Sequence, residues 1–67
     1  MKIRPECVSP NWINHLTVNK WYDVEEIWCD GTHVIIDDIG YELWVDMTDN
    51  NLTGDGNWEV MEEYNED

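Results

Sequence analysis

Residues 16 to 40, LTVNKWYDVEEIWCDGTHVIIDDIG, hold the pattern that most narrows the choice of fold. Trp21 to Cys29 and Thr32 to Asp37 are rich in Val, Ile, Trp and Tyr, side chains that pack well on a pleated surface. Between them lies Asp30-Gly31, a pair that tolerates positive φ and suits a type I′ turn, whose twist matches that of the flanking strands. Asp37-Asp38-Ile39-Gly40 marks a second reversal, and residues 41 to 46 resume the strand pattern. The stretch predicts three antiparallel strands in a meander, and with it an all-β fold.

The flanking segments supply further strands. Met1 to Val8 reads as an opening strand in which Pro5 argues for an edge position, and Ser9-Pro10-Asn11 is a turn cluster. Trp12 and Ile13 are expected to fold over the barrel mouth. A bulge at Glu25-Glu26 would turn Tyr22, Val24 and Ile27 inward together, and it decides which of Trp21 and Trp28 is exposed. The unbroken run Val34-Ile35-Ile36 suits a central strand covered on both faces, or one whose outer side meets a partner. Turning Leu43 and Val45 inward pushes Trp44 out between Glu42 and Asp46. Residues 46 to 57 form a polar loop with room for a helical turn at Thr48 to Leu52. Trp58 to Met61 is a closing strand, and residues 62 to 67 are an acidic tail.

A chain of 67 residues is a single domain, and a domain this short buries only about 60% of its unfolded surface. The core must therefore be dense, and five Trp and three Tyr supply the bulk. No run approaches the roughly 20 apolar residues of a membrane span, and the opening residues lead into no apolar signal region, so a soluble, unexported chain is expected. Cys7 and Cys29 are too few for a disulfide scaffold and are expected as reduced core thiols.

Eight positions carry a family resemblance: Leu16, Thr17, Lys20, Tyr22, Val24, Ile36, Asp38 and Gly40. The pattern resembles the small SH3-like β-barrel proteins common in phage genomes, over residues 16 to 46. Asn19 stands where that family has a turn glycine, a replacement its tolerance of the left-handed region allows. The family also closes with an aromatic soon after the last glycine, whereas here Trp58 comes late, so the last loop reads as an insertion. The resemblance implies a small SH3-like barrel of about five antiparallel strands. It also implies phage or prophage origin, action in the host bacterial cytoplasm, and a non-enzymatic role in binding host proteins.

Catalysis and metal binding find little support. Asp49-x-Asn51-x-Thr53-Gly54-Asp55 opens like a calcium loop, but the twelfth position is Val60 instead of a bidentate glutamate. His15, His33, Cys7 and Cys29 lack the close spacing of zinc ligands. The chain has no phosphate-binding glycine loop or strained nucleophile turn, and the interior of so small a barrel is filled by its own side chains. The pair Asp37-Asp38 reads as turn chemistry before acid–base chemistry. No enzyme activity, cofactor or metal is expected.

Charge points to a partner class. The net charge is −13, and all three cations, Lys2, Arg4 and Lys20, lie in the first twenty residues. Residues 21 to 67 hold fifteen Asp or Glu and no Lys or Arg. Direct binding to nucleic acid or to an anionic membrane is not expected, for want of a basic stripe. Duplex DNA carries one charge per about 1.7 Å of axis, so thirteen charges match about 22 Å of duplex. The expectation is a DNA-mimicking acidic surface that docks on a basic, nucleic-acid-binding host protein and inhibits or modulates it. Its carboxylates would be Asp23, Glu25, Glu26, Asp37, Asp38, Glu42 and Asp46, with Trp44 and Trp21 as aromatic anchors. The alternatives are a peptide-binding or assembly module that uses a barrel edge or aromatic groove, and a charge that only keeps a Trp-rich chain in solution.

Overall fold

The computed structural model describes residues 1–48, 51–54 and 56–62. Five strands form it: β1 (Lys2–Pro5), β2 (Tyr22–Ile27), β3 (His33–Ile36), β4 (Glu42–Val45) and β5 (Trp58–Met61). A single 3₁₀ turn, Pro10–Trp12, interrupts the β1–β2 connection. All neighbours are antiparallel, in the order β4-β3-β2-β1-β5. Strand β2 serves both halves: Tyr22 and Asp23 pair with β1, whereas Val24, Glu26 and Ile27 pair with β3. The register shift between Val24 and Glu26 is the expected bulge, and it bends β2 so that the sheet curls into a small SH3-like barrel.

The meander is built from two turns of one design. Trp28 N–H donates to Thr32 O and Gly31 N–H to Trp28 O, while Asp37 N–H donates to Tyr41 O and Gly40 N–H to Asp37 O. In each turn the last of three loop residues is a glycine with positive φ, 93° at Gly31 and 88° at Gly40. These are three-residue loops, a type I turn closed by a left-handed residue, and not the type I′ turn expected at Asp30-Gly31. Asp30 keeps a negative φ because Cys29 joins the loop, and its Oδ1 accepts the Thr32 N–H at 2.9 Å. Asn19, with φ 63°, does occupy the left-handed region.

The core consists of Ile3, Leu16, Tyr22, Ile35, Leu43, Val45, Leu52 and Trp58, with Val8, Trp12, Val24 and Met47 packed against it. Trp12 thus covers the core as expected, but Ile13 is exposed, and so is Ile27 beyond the bulge. Strand β1 lies between β2 and β5 and is not an edge. Pro5 is tolerated because Glu6 N–H donates to Asn57 O, which makes Pro5 and Trp58 a non-hydrogen-bonded pair, and the Pro5 nitrogen faces the β2 side, past the two-residue ladder there. Cys7 and Cys29 are free thiols but lie on the surface instead of in the core, Cys7 just beyond the end of β1 and Cys29 in a turn.

The long β4–β5 connection is held to the β1–β2 loop. Ser9 N–H donates to Leu52 O at 2.8 Å, and the buried Thr53 hydroxyl donates to Gly56 O at 2.8 Å. The helical turn expected at Thr48 to Leu52, the calcium-like spacing and the acidic tail run through Asp49, Asn50, Asp55 and residues 63–67, outside the described residues. Gly56 closes the connection against Cys7: a Cβ there would lie 2.8 Å from Cys7 Cβ and 2.9 Å from Cys7 N. Gly56→Ala is therefore expected to force the backbone apart and to cost about 1 to 3 kcal/mol. Thermal unfolding would show a midpoint roughly 5 to 20 °C lower, and an unchanged midpoint would mean that the two loops separate freely.

Candidate interaction surface

The two adjacent aspartates of the β3–β4 turn bind other parts of the chain. The Asp37 carboxylate is wholly buried. Its Oδ1 accepts the N–H groups of Ile39 (3.1 Å) and Tyr41 (2.8 Å), and its Oδ2 accepts His15 Nδ1–H at 2.8 Å. Asp38 faces the other side of the same loop. It accepts the Thr17 hydroxyl (2.6 Å), Lys20 Nζ (2.7 Å) and the Tyr22 hydroxyl (2.9 Å), while its own N–H donates to His15 O. Tyr22 OH in turn accepts the Thr17 N–H at 2.8 Å. Burial pushes both carboxyls up, but the donors around them outweigh it and hold both below the ordinary aspartate value. Together they clip residues 15–22 to the β3–β4 turn. Asp37 presents no atom to a partner, and Asp38 is engaged on both oxygens.

The other sequence-predicted residues divide by strand register. Lys2 pairs with Asp23 and Arg4 with Glu59, each across directly opposed positions, at 3.4 and 2.7 Å. Arg4 also lies over the Trp21 ring, 4.7 Å from its centroid, so Trp21 is half-buried. Trp21 borders a shallow groove of about 250 Å³ shared with Lys20, Tyr22, Asp23, Glu25 and Ile36. All three cations are therefore taken up by Asp23, Glu59 and Asp38. Glu25, Glu26, Asp30, Glu42 and Asp46 form no ion pair among the described residues.

Glu25 lines the groove beside Trp21, whereas Glu26, Glu42 and Asp46 lie beside an aromatic pair. Glu26, Val34 and Trp44 stand in one row across β2, β3 and β4, and the next row pairs Ile36 with Glu42. Inward-facing Leu43 and Val45 are buried, so Trp44 points outward and is 60% exposed. Its ring meets that of Trp28 at a centroid distance of 4.9 Å and a tilt of 57°, an arrangement aromatic pairs favour. Val34 lies on this same outward row yet is 1% exposed, which places it beneath the layer that Trp44 belongs to. The indole N–H of Trp44 donates to Glu42 Oε1 at 3.0 Å, and Asp46 accepts both the N–H and the hydroxyl of Thr48. The donors from Thr48 hold Asp46 below the ordinary value, and those from Thr32 do the same for Asp30, so both remain charged.

Of the residues the sequence nominates for an acidic surface, Glu25, Glu26, Glu42, Asp46 and Trp44 are exposed without a cation partner among the described residues, Asp23 is exposed but paired with Lys2, and Asp37, Asp38 and Trp21 are used internally or half covered. Sequence reasoning left Trp28 and Ile36 out of the surface. The turn register could have found Trp28, since a three-residue loop at 29–31 sets Trp28 opposite Thr32 and diagonal to Trp44.

The fold and this face define a class: a small SH3-like barrel with an exposed aromatic pair set among uncompensated carboxylates. Comparison of the chain with family models, curated proteins and solved structures finds no match. Among the described residues no helix is long and apolar enough to cross a membrane, and no group of three metal-ligating side chains is gathered.

Proposed function

We propose that this protein is a non-enzymatic interaction module that binds a basic protein through the outer face of β2, β3 and β4. The carrying observation is the segregation of charge. Each cation is paired away at β1, β5 or the β3–β4 turn, which leaves Glu26, Glu42 and Asp46 uncompensated beside Trp28 and Trp44, with Glu25 uncompensated in the neighbouring groove. Such a face steers a basic partner by long-range attraction, and the aromatics supply the apolar contact that holds it. The resemblance to phage barrels supports a host protein as that partner, and the net charge of −13 supports a nucleic-acid-binding one, with the acids standing in for phosphates and the protein modulating its activity.

The test is capture from bacterial lysate on the immobilised chain, followed by titration of the purified captured protein. Affinity is expected to fall at least about tenfold between low and moderate salt, and by a similar factor in the double variant Glu25→Lys, Glu26→Lys. A complex that ignores both salt and charge reversal would overturn the reading.

A further inference from the structure

Strand β4 has a free edge, and the hydrogen-bond register says which residues own it. Asp37 N–H donates to Tyr41 O, so Asp37 and Tyr41 are a hydrogen-bonded pair. By antiparallel alternation, Ile35 with Leu43 and His33 with Val45 are hydrogen-bonded pairs too. The N–H and C=O groups of Leu43 and Val45 therefore face β3. Those of Glu42 and Trp44 face away from the sheet, and no strand or loop among the described residues pairs with them. The side chains beside this edge, Glu42, Trp44 and Asp46, are all exposed, and nothing of the kind that usually blunts an edge, a proline or a lysine, lies within β4.

The other outer strand, β5, offers less. Its edge residues are Trp58, whose side chain is buried, and Val60, and Glu59 on its outer face is paired with Arg4.

Charge selects the occupant of the β4 edge. A second copy of this chain added antiparallel about Trp44 would set Glu42 opposite Asp46 in both directions, with like charges opposed. An extended basic segment meets the opposite situation. Residues directly opposite Glu42, Trp44 and Asp46 share their outer face, so lysine or arginine at alternate positions falls beside two carboxylates and an aromatic pair.

We propose that the β4 edge takes an extended segment of the partner, with Lys or Arg at every second position, as a sixth strand. This rests on the reading of the outer face as a surface for basic proteins, and it adds the backbone as a recognition element. In an antiparallel addition the N–H groups of those alternate basic residues point at the C=O groups of Glu42 and Trp44.

The probe is a capped peptide of alternating lysine and valine, with a second version methylated on the lysine backbone nitrogens. Amide exchange is followed by NMR on the full chain at low salt. In the free chain the Glu42 and Trp44 amides should exchange fast and those of Leu43 and Val45 slowly. The unmethylated peptide should slow Glu42 and Trp44 by at least about tenfold, and methylation should abolish that protection. If the peptides instead shift the Trp28 and Trp44 indole signals equally while Glu42 and Trp44 amides stay fast, strand addition is wrong and the basic-partner reading stands. If neither peptide perturbs the chain, both are wrong.

Discussion

Replacing Asp37 by alanine is expected to lower the unfolding free energy by about 2 to 4 kcal/mol and the thermal midpoint by roughly 10 to 25 °C. The variant strands the N–H groups of Ile39 and Tyr41 and the Nδ1–H of His15, three donors that the buried carboxylate now satisfies. Hydrogen bonds to a charged acceptor are among the stronger ones, and a buried donor left without a partner loses its full hydration. A domain of 67 residues has only about 3 to 10 kcal/mol to lose, so the variant should sit near the edge of folding at physiological temperature. Asp38→Ala should cost less, about 1 to 2 kcal/mol, because the Lys20 and Thr17 groups it releases are exposed and can turn to water, and only the hydroxyl of buried Tyr22 loses an acceptor it cannot readily replace. Equal losses in the two variants would show that burial of Asp37 does not set the difference. Acid titration supplies an independent check. Both carboxyls lie below the ordinary value of 3.8, so their contribution is complete above that pH and is lost as pH falls through the lower folded values. The wild type should hold its stability down to about pH 4 and lose it below; Asp37→Asn should show a shallower acid limb.

Much of the fold was legible because it rests on local chemistry. Alternation placed Leu43 and Val45 inside and Trp44 outside, the paired acids at 25 and 26 marked the bulge, and glycine marked both turns. What the sequence hid was nonlocal. Nothing near Asp37-Asp38 in the chain announces that His15 and the Thr17–Tyr22 segment fold back on it, so a pair of structural acceptors looked like part of an open acidic surface. Nor does spacing reveal that Arg4 comes to lie over Trp21, which requires β1 to pair with the start of β2. A turn one residue longer than Asp30-Gly31 suggests was enough to bring Trp28 against Trp44. The misses at the site concern which acid or aromatic is occupied internally, and that depends on contacts about twenty residues apart.

Trp44→Ala is expected to weaken binding to the basic partner by at least about thirtyfold, the loss that marks a central aromatic anchor. The same substitution uncovers Val34, buried at present on the outward row, so a stability loss of about 1 kcal/mol should accompany it. The two effects separate in Trp44→Phe, which keeps a ring over Val34 but gives up the indole N–H that reaches Glu42 Oε1. That variant should recover most of the stability and part of the affinity. Trp28→Ala leaves Trp44 without its tilted neighbour, and because the rings meet at 4.9 Å the two alanine variants should not be additive. A double-mutant cycle on the affinity should return a coupling of about 0.5 to 1.5 kcal/mol. If Trp44→Ala leaves affinity unchanged while the Glu25 and Glu26 reversals abolish it, the surface works by charge alone and the indoles serve only to cover Val34. If the reverse holds, the carboxylates tune solubility and the contact is apolar. The proposed surface needs both, because among the described residues its exposed indole pair lies beside carboxylates that no cation neutralises.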